Sequence, residues 1–166
     1  MIDLTSTPII ILVILGSVGV ALPVISIALK ERPSMISYGI ATLIALFAAI
    51  GYVLYQLALD HVAPAAIFSQ DVLVDDAFGS LFAIAMLIVA IFTTVGSFSY
   101  MKNKANPSVY FSLILLSAIG MVLVAYSTDL VMLFVAWELM SIPTYILVGF
   151  LKKDPISNEA AIKYFL

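Results

Sequence analysis

Glu138 is an acidic residue in the middle of a long apolar stretch, Leu-Val-Met-Leu-Phe-Val-Ala-Trp-Glu-Leu-Met-Ser-Ile-Pro-Thr-Tyr-Ile-Leu-Val-Gly-Phe-Leu from Leu130 to Leu151. It lies roughly 12 Å from one end of that stretch and 20 Å from the other at about 1.5 Å of helix per residue. A carboxyl so deep in hydrocarbon costs about 2.5–3.5 kcal/mol on insertion scales, so it is expected to face a bundle interior or water and to lie on a proton path. Ser141 and Tyr145 follow at i+3 and i+7 from Glu138, which puts two hydroxyls on the face of the carboxyl. Pro143 has no N–H, so the carbonyl of Leu139 loses its helical donor one residue past Glu138, and such an opening admits water or another side chain. The plainer alternative is a glutamate that ties its helix to a neighbour by a hydrogen bond. Lys163, between Ala160-Ala161 and Tyr164-Phe165-Leu166, has two readings as well. It could snorkel to the headgroups from a helix end, or exchange protons and modulate an acidic neighbour from a buried position.

These side chains need a bilayer to position them. Of 166 residues 64% are apolar and 10% charged, where a soluble domain has about half and a quarter. A span needs about 20 mostly apolar residues, and five such runs are complete: Ile9–Leu29, Ser37–Leu59, Phe78–Tyr100, Val109–Tyr126 and Leu130–Leu151. The first is read as a retained span, because no Lys or Arg precedes it and it exceeds the length of a signal-peptide core. A further apolar segment begins after Asp154-Pro155 and stops at Leu166, which implies a sixth helix continuing beyond this chain. The expected fold class is an all-α membrane protein, a polytopic helix bundle of five complete transmembrane helices and the start of a sixth.

Charge placement gives a direction. Lys30 and Arg32 follow the first span, Lys102 and Lys104 the third, and Lys152 and Lys153 the fifth, whereas the N-terminal tail, the loop Asp60–Ala77 and the turn Ser127–Asp129 carry no cation and hold Asp3, Asp60, Asp71, Asp75, Asp76 and Asp129. By the positive-inside rule the cationic side is cytoplasmic and the N-terminus is outside. In the long acidic loop 60–77, Val72-Leu73-Val74 suits a small surface strand or hairpin, or an ordinary connection. His61, alone beside Asp60, is read as a surface residue, since a metal site needs three or four converging ligands. Tyr38, Tyr100, Tyr126 and Phe150 fall near span ends, where aromatic rings favour the headgroup boundary.

The sequence has no cysteine, so this chain offers no thiolates for an iron–sulfur cluster, no disulfide and no covalent haem attachment. Phosphate-cradling glycine loops and nucleophile elbows are missing too, and no basic stretch suits nucleic acid. The expected surroundings are a lipid bilayer.

The run Asp129–Leu166, through Trp137-Glu138-Leu139-Met140-Ser141-Ile142-Pro143 and Glu159-Ala160-Ala161-Ile162-Lys163-Tyr164-Phe165-Leu166, resembles the N subunit of the respiratory complex I family, which includes NADH:quinone and reduced-F420 dehydrogenases. The resemblance implies the antiporter-like fold of about fourteen helices with two inverted repeats. Residues 1–108 would then form three N-terminal helices with the external acidic loop, and residues 109–166 would open the first proton-translocating repeat. It matches Glu138 to the family's helix-5 glutamate, thought to pair with a lysine on helix 7, and Lys163 to the lysine of the helix-6 motif. The loop around Val72–Val74 would correspond to an external hairpin that touches a neighbouring subunit. NADH or reduced F420, flavin, iron–sulfur clusters and quinone are expected in partner subunits, with none of them held here. The location implied is the plasma (inner) membrane of a prokaryote.

The function this implies is a membrane-arm subunit coupling electron transfer to proton translocation, as one part of a proton-translocating NADH (or F420H2):quinone oxidoreductase. The alternatives are a subunit of an Mrp-type cation/proton antiporter, which shares the fold and a similar glutamate, and a structural membrane subunit that conducts nothing.

Overall fold

In a computed structural model, described over residues 6–29, 34–59, 72–151 and 154–166, the chain forms six helices. They are α1 (Thr7–Ala28), α2 (Met35–Ala58), α3 (Ala77–Tyr100), α4 (Pro107–Tyr126), α5 (Leu130–Val148) and α6 (Pro155–Phe165), and the first five are long and apolar enough to cross a membrane. The spans agree with the apolar runs apart from their ends. Helices α1, α2 and α4 begin two residues early, and α5 stops at Val148, where Gly149 forms the C-cap, rather than at Leu151. Asp3, Lys30, Arg32, Asp60, His61, Asp71, Lys152 and Lys153 lie outside the described residues.

Helix α4 is the hub, packed against α1, α2, α3 and α5. Its apolar window is 61% buried, against 17% for α5, which touches α4 on one side and α6 near its end. Between spans, where lipid is as apolar as leucine, association relies on close packing of small residues and on interhelical hydrogen bonds. Ser112 accordingly donates to the carbonyl of Gly19 on α1, and Ser97 of α3 donates to the hydroxyl of Tyr110 at 3.3 Å. The pair Ser80 and Tyr126 links α3 to the end of α4 at 3.1 Å, with both residues buried.

The aspartates of the acidic end hold helix starts. Asp76 accepts from Gly79 N at 2.7 Å and so caps α3, and Asp129 accepts from Val131 N and Met132 N at 3.0 and 3.1 Å and caps α5. Asp75 accepts from Thr7 N, in the first turn of α1, at 2.9 Å. A carboxylate at such a position satisfies an orphan N–H and meets the positive end of the helix dipole. The segment before α3 makes no hairpin of its own among the described residues. A single antiparallel bridge joins Leu73 to Ser127, flanked by Val74 N to Tyr126 O at 3.0 Å and Thr128 N to Val72 O at 3.2 Å. Lys102 and Lys104 lie at the opposite end, between α3 and α4, and the ammonium of Lys104 sits 3.2 Å from the centre of the Tyr100 ring.

Candidate proton site on helix α5

Glu138 is half-buried on α5, and among the described residues it forms neither a hydrogen bond nor an ion pair. Of the two hydroxyls expected beside it, that of Ser141 is engaged elsewhere. Ser141 is buried and donates back to the carbonyl of Trp137 at 2.8 Å, while Thr144 donates to the carbonyl of Ser141 at 2.7 Å. In an apolar helix a hydroxyl finds its nearest acceptor in the preceding turn of its own backbone. The ring of Tyr145 meets those of Tyr164 and Phe165 edge-on, with centroids 5.5 and 5.4 Å away. The Ser141 hydroxyl therefore bonds to its own helix and not to the carboxyl of Glu138.

Lys163 does not reach Glu138. Its ammonium pairs with Glu159 Oε1 at 2.6 Å, one turn back on α6, and the two side chains are 73% and 66% exposed. Such exposed i,i+4 pairs are worth only about 0.3–0.5 kcal/mol, so this contact leaves the lysine free to change partners. Helix α6 is tied to α5 by Ser157, which donates to the carbonyl of Val148 at 2.7 Å, and by the approach of Ala161 to Gly149.

Pro143 is buried, and the carbonyl it leaves without a helical donor, that of Leu139, lies at a close crossing of α5 with α4. A Cβ added at Gly120 of α4 would stand 2.6 Å from Met140 Cα and 2.8 Å from Leu139 C. Three residues earlier on α4, Ser117 donates to the carbonyl of Met140 at 3.2 Å. Helix α4 therefore lies against the backbone of α5 at Leu139 and Met140. Glu138 is two residues from Met140, a rotation of roughly 200°, so it points away from α4. Tyr145, seven residues on, returns to the face of Glu138 and is the residue that α6 covers. What this arrangement can do is hold a carboxyl at fixed depth with one side dry and uncharged and the other accessible to α6, to water or to a further partner. Ser117 and Gly120 escaped the sequence reading, and the small-residue pairing of Ser117 with Gly120 on one helix is the signal that points to them.

No group of three or more His, Asp or Glu side chains able to hold a metal occurs among the described residues.

Residues 127–166 match a family described as NADH:quinone oxidoreductase/Mrp antiporter, TM, a stretch that contains both Glu138 and Lys163. The chain is 36% identical over 155 residues to NADH-quinone oxidoreductase subunit N 1 of Solibacter usitatus, covering 93% of this chain and 31% of that protein. It is 37% identical over 100 residues to the F(420)H(2) dehydrogenase subunit N of Methanosarcina mazei, covering 60% of this chain and 20% of the relative. Among solved structures, a chain of respiratory complex I from Thermus thermophilus with bound Aureothin superposes with a TM-score of 0.71 at 26% identity, over 93% of this chain and 32% of that one. The chain thus spans about a third or less of the length of these relatives.

Proposed function

Since this chain belongs to the subunit N family of NADH-quinone oxidoreductases and F(420)H(2) dehydrogenases, we propose that it forms part of a membrane-arm subunit that couples electron transfer to a quinone-like acceptor to proton movement across the membrane. The observation that carries the reading is Glu138: a half-buried carboxyl in a membrane span, without a partner among the described residues, inside the stretch matched by the family. Burial disfavours the charged form of a carboxyl and an approaching cation favours it, so a carboxyl exposed alternately to the two takes up and releases a proton. Moving one proton against 100 mV requires about 2.3 kcal/mol, which is a change of roughly fifty-fold in proton affinity.

In this reading Glu138 and Lys163 lie on the proton path. Ser141, Pro143 and Tyr145 shape the helix around the carboxyl, and residues 109–166 open the translocating repeat that residues 1–108 precede. The electron donor, NADH or reduced F420, and the flavin, iron–sulfur clusters and quinone belong to partner subunits. The assembly sits in a prokaryotic plasma membrane with the N-terminus and the aspartate-capped helix starts outside. An Mrp-type antiporter subunit is the second reading, favoured by the matched family's description, which covers both kinds of protein; co-purification with redox subunits separates the two.

The test is Glu138→Gln in the full-length subunit within its assembled complex, since glutamine keeps the size and hydrogen bonding of the side chain but cannot ionise. Electron transfer through the isolated redox arm should persist while coupled quinone reduction and proton uptake fall, and Glu138→Asp should retain part of both. A Gln variant that assembles and pumps at the wild-type rate and stoichiometry would make Glu138 a packing residue.

A further inference from the structure

We infer that Gly120 and Ser117 of α4 are positioning residues for Glu138, fixing how far its carboxyl projects from the bundle. This inference rests on the reading of Glu138 as a proton site. The atoms that a Cβ at position 120 would meet are backbone atoms of Leu139 and Met140, so no side-chain rotation relieves the overlap. The helix as a whole must withdraw by about an ångström before ordinary van der Waals contact is restored. Because Glu138 stands on the far side of α5 from this contact, withdrawal moves the carboxyl outward along its own direction, towards whatever faces it.

Two further features of the same turn allow it to be set in this way. Pro143 removes the donor to Leu139 O, so the helix is held less firmly by its own hydrogen bonds at this level. Ser117 supplies an external bond to the next carbonyl, that of Met140, at 3.2 Å. The two contacts from α4, one steric and one a hydrogen bond, meet α5 at the residues immediately after Glu138.

No charge on α4 competes for this role. Pro107–Tyr126 contains no acidic or basic residue, and its tyrosines, Tyr110 and Tyr126, stand near its two ends. Of the titratable groups on α6, Tyr164 meets Tyr145 of α5, while Glu159 and Lys163 pair with each other and are largely exposed. The environment to which Glu138 responds therefore lies on the side away from α4, and its distance from that environment is set by the α4 contact.

The experiment compares Gly120→Ala, Ser117→Ala, Glu138→Gln and Gly16→Ala in the full-length subunit of the assembled complex, reading assembly and the pH profile of proton-coupled turnover in proteoliposomes. Gly16 is the packing control, since a methyl there meets only Ile119 Cδ1 at 3.8 Å. Gly120→Ala is expected to assemble, to lower coupled turnover by about ten-fold and to displace its pH midpoint. Ser117→Ala should displace it less, and Gly16→Ala should follow the wild type. A Gly120→Ala complex that assembles and keeps the wild-type pH profile overturns the inference, whatever it does to thermal stability. If Gly120→Ala fails to assemble, Ser117→Ala decides, and a wild-type profile for that variant overturns it equally. Loss of coupling in Glu138→Gln beside an unaltered Gly120→Ala profile sinks the positioning role alone, whereas an unaltered Glu138→Gln sinks the proton site itself.

Discussion

Removing the side chain of Asp129 should fray the first turn of α5 and leave the turn that carries Glu138 in place. The carboxylate accepts from Val131 N at 3.0 Å and Met132 N at 3.1 Å, and the main-chain carbonyl of the same residue accepts from Leu133 N at 2.8 Å. Losing an aspartate N-cap to alanine costs typically about 1 kcal/mol, and losing its charge at the positive end of the helix dipole adds about 0.3–1 kcal/mol. Packing does not compensate, because Leu130 is 82% and Val131 71% exposed in this chain. The combined loss of roughly 1–2 kcal/mol corresponds to about 5- to 30-fold in a local opening equilibrium. Amide hydrogen exchange on the full-length subunit in lipid nanodiscs reads this directly: Val131 and Met132 should exchange faster by that factor in Asp129→Ala. Asparagine caps about as well as aspartate and forfeits only the charge, so Asp129→Asn should speed exchange by no more than about five-fold. Amides around Met140 should not respond, since Ser117 and the Gly120 crossing hold α5 there. Unchanged exchange at Val131 and Met132 in the alanine variant, or an asparagine variant as fast as alanine, would refute the capping argument.

Two further expectations concern topology and Lys163. Cysteine introduced at Asp75 should react with an impermeant thiol reagent outside intact cells and cysteine at Lys102 only after lysis; the reverse pattern would invert the orientation drawn from the cationic loops. Lys163→Met should lower proton-coupled turnover while Lys163→Arg retains more of it and Glu159→Gln stays near the wild type, because the exposed Lys163–Glu159 pair stabilises α6 by only about 0.3–0.5 kcal/mol. Equal losses from Lys163→Met and Glu159→Gln would show that the pair matters as a helix brace and not as a source of mobile charge.

The spans were legible because the bilayer leaves little choice: an apolar run of about 20 residues must close its backbone hydrogen bonds internally. Glu138 was legible for the same reason, as an ionisable residue where the solvent is hydrocarbon. The aspartates were legible only in part. They were read only as the acidic content of the cation-free loops, yet an Asp just ahead of an apolar run is equally a start signal for a helix, and that is how Asp76 and Asp129 are used. Ser141 shows a different limit. Spacing fixes the face of a residue but not which acceptor its hydroxyl chooses, and the Trp137 carbonyl lies closer to hand than the carboxyl. Gly120 was the least visible, because α4 is apolar on all sides and rich in small residues. Which of them meets α5 depends on the rotation of two helices about each other, a property of the pair and not of either sequence.

The level of Glu138 brings together a break in the ladder of α5 at Pro143, a residue on α4 with no side chain to keep α5 away, and a carboxyl on the opposite face. Each is ordinary in a membrane bundle. Their order along α5 gives them a joint consequence, since Leu139 and Met140 lie between Glu138 and Pro143 and are the residues that α4 grips. A helix whose own bonding is interrupted would let an ionisable side chain wander, and a wandering carboxyl cannot hold a defined proton affinity. Anchoring the interrupted turn from behind restores that definition without placing any polar side chain in front of the carboxyl. Among the described residues no polar side chain bonds to the carboxyl from the front, and the proposed proton site requires a front open to groups whose charge changes. A glutamate serving only to join α5 to α4 would instead be expected to face α4, and among the described residues α4 lies on the other side of α5.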